Sequence, residues 1–187
     1  RTHTGYYARK RIDETHDPGS YSQSLCYQNY MFFRYAEVLL SFAEAENEVN
    51  GPTAEVLAAV NKVRTRANNL PKVEDCYSGI DKDKMREIIR RERRVELCFE
   101  DKRWWDILRW KIADELPDGS PGVLNRPEKG MLISSGGTHT VIDVRDRIFL
   151  PKMYYMPVPQ GVIDQNPAIA AQNGGPDNWV KGQNPGY

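Results

Sequence analysis

The stretch from Lys84 to Trp110, KMREIIRRERRVELCFEDKRWWDILRW, constrains the fold more than any other part of the chain. Met85, Ile88, Val95 and Phe99 recur at steps of three, seven and four, which places them on one face of a helix with about 3.6 residues per turn. Glu92 falls on that same face, and Glu92, Glu96 and Glu100 form an i, i+4, i+8 line of like charge. A carboxylate in an apolar stripe is costly unless it is paired. The line therefore requires cations from other segments. Arginines at 64, 66, 90, 91, 93, 94, 103 and 109 are available, so the expectation is an Arg/carboxylate lattice between packed helices. Asp101 is the expected break and N-cap, after which Trp104, Trp105, Ile107, Leu108 and Trp110 open a second helix.

Upstream, residues 32–50 read as one long helix with two adjacent stripes. Tyr35, Val38, Phe42, Ala45 and Val49 make the first, and Ala36, Leu39, Leu40 and Ala43 the second. Such a helix needs cover on two sides, and its alanines permit the close approach of an antiparallel partner. Gly51 and Pro52 stop it. Thr53 is expected to cap the next helix, which runs to about Asn68 with Val56, Val60 and Val63 inward. The pair and its linker, closed by Pro71, have about the length of one tetratricopeptide unit. Residues 69–80 read as loop, and Asp81 or Asp83 caps the Arg-rich helix. From Glu115 to Arg147 the runs DGSPG, NRPEKG and SSGGTH are turn chemistry without periodicity, serving either a function or variable packing. Within and after them, Thr140–Val144 and Arg147–Leu150 alternate and are expected to pair as a small hairpin. The fold class is mostly α: tetratricopeptide-like helix pairs (helical 32–114) with a long irregular C-terminal region (115–187), in a single domain 1–187.

The 187 residues carry 26 Lys plus Arg and 26 Asp plus Glu, a formal net charge of zero. That removes the electrostatic case for nucleic acid or an anionic membrane surface, which need a clustered basic excess. Cys26, Cys76 and Cys98 show no CxxC spacing, so neither zinc nor a disulfide framework is indicated. Cys98 is expected to be a small core residue, and a Cys26–Cys76 bridge lacks support. The opening RTHTGYYARKRID has no apolar core of a signal peptide and no initiator methionine, so a processed part of a longer protein is expected.

The string ERRVELCFEDKRWWDILRW resembles the motif of SusD/RagB-type proteins, an Arg-rich helix ending in Glu-Leu-x-Phe-Glu followed by Gly-x-Arg-aromatic-aromatic-Asp-Leu. Asp101 stands where that family usually has glycine, and aspartate tolerates the left-handed conformation better than most residues. Gly5–Lys10, RYAEVLLSFAEAE, the string Asn61–Ala67, Pro157–Gln160 with Asn166 and Pro167, and the ending QNPGY are similar to the family in the same order. They match the C-terminal part of a full-length member. The resemblance implies a non-catalytic, cofactor-free lipoprotein at the surface of a Gram-negative outer membrane. Such a protein binds an oligosaccharide ligand and delivers it to a TonB-dependent outer-membrane transporter, and it meets the membrane through an upstream lipid anchor. The alternatives from other classes are a helical protein-interaction scaffold and a peptide-binding member.

Glycoside hydrolysis would need two carboxylates, and Glu92 and Glu96 are one turn apart, but surrounding arginines favour the ionised form over a general acid. His3, His16 and His139 are scattered, and no GxSxG, P-loop or GxGxxG string occurs. No catalytic or metal residue is assigned. Trp104, Trp105 and Trp110, at helical spacing, are expected in the core. The tyrosines at 6, 7, 21, 27 and 30 read first as cover for the helix at 32–50. The ligand candidates are Tyr6, Tyr7, Tyr21 and Trp179, chosen for their loop context.

Overall fold

The structure is a computed structural model that describes residues 10, 29–66, 70–171, 173, 180–184 and 187. It is mostly helical. The chain divides into two compact units, with the boundary between Asp106 and Ile107.

In the first unit, α1 (Tyr35–Asn50) and α2 (Ala54–Arg64) form the expected helix pair, and α4 (Lys82–Glu96) packs on α1. The turn between α1 and α2 follows from local chemistry. Gly51 adopts φ 79°, a left-handed value that favours glycine, and the Thr53 hydroxyl accepts from the Val56 amide. Asp81, not Asp83, caps α4 by accepting from the Lys84 amide at 2.7 Å. A short helix, α3 (Val73–Cys76), interrupts the expected loop and buries Val73. The core is Leu40 and Ala43 from α1, Val56, Ala59, Val60 and Val63 from α2, Val73, and Met85, Ile88 and Ile89 from α4.

Several expectations need correction here. The second stripe of α1 is the covered one, while Tyr35, Val38, Phe42, Ala45 and Val49 all lie on its exposed side. On α4 the buried stripe is centred on Met85, Ile89 and Glu92, so Val95 falls at its edge and is exposed. Phe99 is also exposed, because α4 ends at Glu96 and Phe99 sits beyond it at φ 59°. Cys98 shares that turn and is exposed rather than core, as is the free thiol of Cys76; Cys26 lies outside the described residues. Asp101 does make the break, at φ 59°, but α5 (Arg103–Arg109) begins after Lys102, and the Asp101 carboxylate accepts from the Tyr30 hydroxyl instead of capping. Trp104 and Trp105 are exposed, since the inward positions of α5 go to Asp106 and Ile107. The α2 helix stops at Arg64, short of Asn68, which is not among the described residues.

The second unit is the irregular region, and it has its own small core of Ile107, Ile112, Ala113 and Phe149, flanked by Leu116, Val123, Leu124 and Tyr154. Backbone bonds from Gly122, Val123 and Leu124 to the carbonyls of Asp114, Ile112 and Ala113 lay one loop against another. Gly122 is required at this contact, because a Cβ there would lie 2.4 Å from the Ala113 oxygen. The Asn125 amide bridges the carbonyls of Asp114 and Phe149 at 2.8 and 3.0 Å, satisfying backbone that no helix or strand pairs. Tyr154 donates to Asp114 at 2.6 Å and accepts from the Ala113 amide at 2.9 Å.

A hairpin is present, but with a different partner. β2 (His139–Arg145) contains Thr140–Val144 and pairs antiparallel with β1 (Glu128–Ile133), a segment expected to be loop. Arg147–Leu150 is not a strand; the Phe149 amide and carbonyl both bond to Asn125. After a 3-10 turn at Pro151–Tyr154 come α6 (Gln160–Gln165) and α7 (Pro167–Ala170), the latter capped by Asn166.

One buried ion pair links α4 to the start of α5. Arg93 donates from Nε and Nη2 to the two Asp106 oxygens, both at 3.0 Å, and both side chains are nearly inaccessible. Arg93→Ala leaves the Asp106 carboxylate buried without this partner, so we expect a loss of about 3–5 kcal/mol in urea unfolding. Arg86→Ala, at the half-exposed pair with Glu48, should cost under about 1 kcal/mol. In the second unit, Gly122→Ala should lower stability by about 1–3 kcal/mol through overpacking, read as a fall in the melting temperature.

Candidate functional site

Of the expected glutamate line, Glu92 and Glu96 lie on α4 and Glu100 in the turn beyond its end, and the three receive their cations from three places in the chain. Arg64, at the end of α2, donates to Glu92 at 2.9 Å and to the Pro71 carbonyl at 3.0 Å. Arg66 donates to Glu96 at 2.7 Å. These two were expected from the arginine inventory. Arg34 and Lys10 were not, yet they make most of the bonds. Arg34, the residue that precedes α1, donates from Nε to Glu100 at 2.7 Å, from Nη1 to the Glu96 carboxylate, and from Nη2 to the Glu96 carbonyl at 2.6 Å. Lys10 bonds the carbonyls of Glu96 and Cys98 at 3.1 and 2.9 Å and pairs with Glu100. Two cations thus cap the carbonyl end of α4, where the helix dipole favours positive charge.

Burial would push the Glu100 carboxyl up, but the bonds from Arg34 and Lys10 outweigh it and hold the group below its ordinary range. Burial likewise works against the charge on Arg34, and its bonds to Glu100 and Glu96 keep its pKa raised. Lys102 completes the cluster by bonding the Phe32 carbonyl at 2.8 Å and pairing with Glu37 at 3.1 Å. The segment before α1 is therefore pinned to the turn between α4 and α5 at Tyr30, Phe32 and Arg34.

Beside this lattice, a cleft of about 340 Å³ opens between α1 and α2, lined by Arg34, Tyr35, Ala36, Leu39, Lys62, Val63 and Arg66. Its floor is apolar. Its ionisable lining is cationic apart from the Tyr35 phenol. Lys62 donates to the Tyr35 hydroxyl at 3.3 Å, and its ammonium lies 4.9 Å from the ring centroid. Arg66 keeps 59% of its side chain exposed while bonded to Glu96. In the second unit, Gln160, Ile163, Ala170, Val180, Lys181, Gln183 and Tyr187 line another hollow, where the Gln183 amide bonds both the Val158 amide and its carbonyl.

The residues named from sequence as ligand candidates, Tyr6, Tyr7, Tyr21 and Trp179, lie outside the described residues. The carboxylates considered for hydrolysis are both committed to arginines, Glu92 to Arg64 and Glu96 to Arg34 and Arg66. Among the described residues no group of three or more His, Cys, Asp or Glu side chains is placed to hold a metal. The cleft was missed because its polar residues, Arg34, Tyr35, Lys62 and Arg66, come from two helix ends about thirty positions apart. The available signal was Arg34 directly before the first helix, at the head of RYAEVLLSFAEAE.

A family model described as the SusD family matches residues 1–179. The chain belongs to the SusD family. It is 43% identical over 96 residues to SusD-like protein P2 of Formosa agariphila, a match covering 49% of this chain and 19% of that protein. SusD-like protein P38 of the same organism is 41% identical over 100 residues, covering 51% of this chain and 20% of the relative. The chain thus matches about a fifth of the length of these curated relatives. A crystal structure of a SusD-like protein from Bacteroides fragilis NCTC 9343 superposes with a TM-score of 0.63 at 29% identity, over 85% of this chain and 26% of the other. The helical fold of this SusD-family chain is the one the motif at Lys84–Trp110 implied.

The lattice makes an acid-dependence prediction. The folded pKa of Glu100 is lowered, so the stability it contributes is fully present above its unfolded pKa and is lost as pH falls through the folded value. Between about pH 7 and pH 3, urea unfolding of Glu100→Gln should therefore show a shallower acid slope than wild type, with lower stability at neutral pH. A residual slope remains from Glu48 and Asp114, whose carboxyls are also held low, by Arg86 and by the Tyr154 hydroxyl. An unchanged slope would remove Glu100 from the acid response.

Proposed function

We propose that this SusD-family chain forms part of a non-catalytic oligosaccharide-binding lipoprotein of the outer-membrane surface, which captures glycans and passes them to a TonB-dependent transporter. The observation that carries this reading is the family match over residues 1–179. The non-catalytic part of the reading is supported by Glu92 and Glu96, the carboxylates weighed for hydrolysis, both being engaged by arginines. Capture of a neutral or charged sugar needs only aromatic faces and hydrogen-bonding side chains, and no cofactor. In this reading Tyr6, Tyr7, Tyr21 and Trp179 contribute ligand contacts.

A second reading, a helical protein-interaction scaffold, is favoured by one specific observation. The outer face of α1 carries Tyr35, Val38, Phe42 and Val49, at 60, 57, 47 and 78% exposure. That continuous apolar stripe on a 16-residue helix is the kind of surface that buries against protein.

Isothermal titration of this chain, and of the complete natural protein, against a panel of oligosaccharides separates the two. Glycan binding by both places a usable site in these residues. Binding by the complete protein alone makes this chain scaffold or transporter contact, and binding by neither sinks the glycan reading. Changing Tyr6, Tyr7, Tyr21 and Trp179 together to alanine should weaken glycan binding by the complete protein by at least about tenfold, and unchanged binding would remove all four from the site.

A further inference from the structure

The cleft between α1 and α2 has a chemistry that the glycan reading alone does not specify. The chain as a whole is neutral, with 26 basic and 26 acidic side chains. The charged side chains lining this cleft, in contrast, are all basic: Arg34, Lys62 and Arg66. They are not equivalent. Arg34 commits its donors to Glu96 and Glu100 and is largely covered, so it is structural. Arg66 commits one terminal nitrogen to Glu96 and leaves the rest of its fork to solvent. Lys62 gives one donor to the Tyr35 hydroxyl, and its other two remain for a ligand. Glu96, the carboxylate bonded at this edge, already accepts from both arginines. Two exposed cations therefore stand at the mouth, each oriented by an existing bond, above a floor of Ala36, Leu39 and Val63 with the Tyr35 ring at one side.

We propose that this cleft is a subsite for an anionic sugar, a pyranose bearing a carboxylate or sulfate group. Lys62 and Arg66 receive the anion, and Tyr35 and Leu39 receive the ring. The inference rests on the glycan reading above and narrows its ligand class. Charge-assisted bonds from an ammonium and a guanidinium suit either anion, and the guanidinium fork matches a planar carboxylate in two-point contact. An arriving anion competes with the Tyr35 ring for the Lys62 ammonium. Its departure from the ring would uncover an aromatic face for the C–H side of the sugar. A cleft of about 340 Å³ lies at the small end of the range for small-molecule sites, which fits a sugar ring better than a helix.

The test is calorimetric titration of the complete natural protein with a short oligogalacturonide, its neutral methyl ester, a sulfated oligosaccharide of equal length and a polyglutamate peptide. At low salt the charged sugars should bind at least about tenfold tighter than the ester, and added salt should erode that margin. The Lys62→Gln/Arg66→Gln variant should lose at least about tenfold on the charged sugars and keep its affinity for the ester. Should the double variant fail a thermal-melt check, Lys62→Gln alone carries the test, since that exposed lysine's polar contact is with Tyr35. Preference between the two charged sugars identifies the anion. Neutral sugars binding as well as charged ones, untouched by either variant, overturns the subsite while leaving the glycan reading standing. Binding of polyglutamate and of no sugar overturns both, in favour of an acidic peptide.

Discussion

Three carboxylates, two on α4 and one in the turn that follows it, are the constraint from which much of the first unit follows. Glu92 and Glu96 on α4 and Glu100 in the turn just beyond it are like charges close in sequence, and burial raises the cost of each. The chain answers with cations from the end of α2, from the residue ahead of α1 and from Lys10. Each of those bonds ties a separate stretch of sequence to α4. The same arginine that neutralises Glu96 and Glu100 also caps the helix by taking the Glu96 carbonyl. A charged group of this kind is weak as a source of net stability but strong as a specifier of arrangement, because removing one partner strands another.

The turn that follows α4 shows what this anchoring permits. Phe99 and Asp101 both sit at φ 59°, a conformation that costs a bulky side chain energy. Lys10 and Arg34 hold the carbonyls and carboxylate around Phe99, and Tyr30 holds Asp101. Aspartate where the family usually has glycine is thus accommodated, with its side chain given a partner that glycine would lack. The turn in its turn fixes Lys102, which secures the Phe32 carbonyl and so the approach to α1. The arginines that line the cleft beside α1 belong to the same set of bonds.

The irregular unit solves its problem differently. With few regular backbone partners, it uses side-chain amides and hydroxyls as substitutes: Asn125 for Asp114 and Phe149, Tyr154 for Ala113, Gln183 for Val158. Close approach at Gly122 lets two loops exchange backbone bonds where any side chain would collide. Loop-like composition therefore need not mean absence of a core, as Ile112, Ala113 and Phe149 demonstrate.

Sequence alone determined the helix pair at the start, its Gly51 and Thr53 punctuation, an aspartate cap at position 81 or 83, the break at Asp101 and the need for an ionic lattice. These are local: periodicity, caps and like-charge spacing act within a few residues. The motif string also identified the family. Tertiary structure decided which cations serve the lattice, because Arg34 lies 62 and 66 positions from its partners and no local rule connects them. It decided that β2 pairs with Glu128–Ile133, since strand pairing depends on which backbone is left unsatisfied nearby. It also decided which of two equally apolar stripes on α1 is covered, and it exposed Trp104 and Trp105. An amphipathic pattern states that a face favours burial, but only the placement of neighbouring elements supplies the surface that buries it.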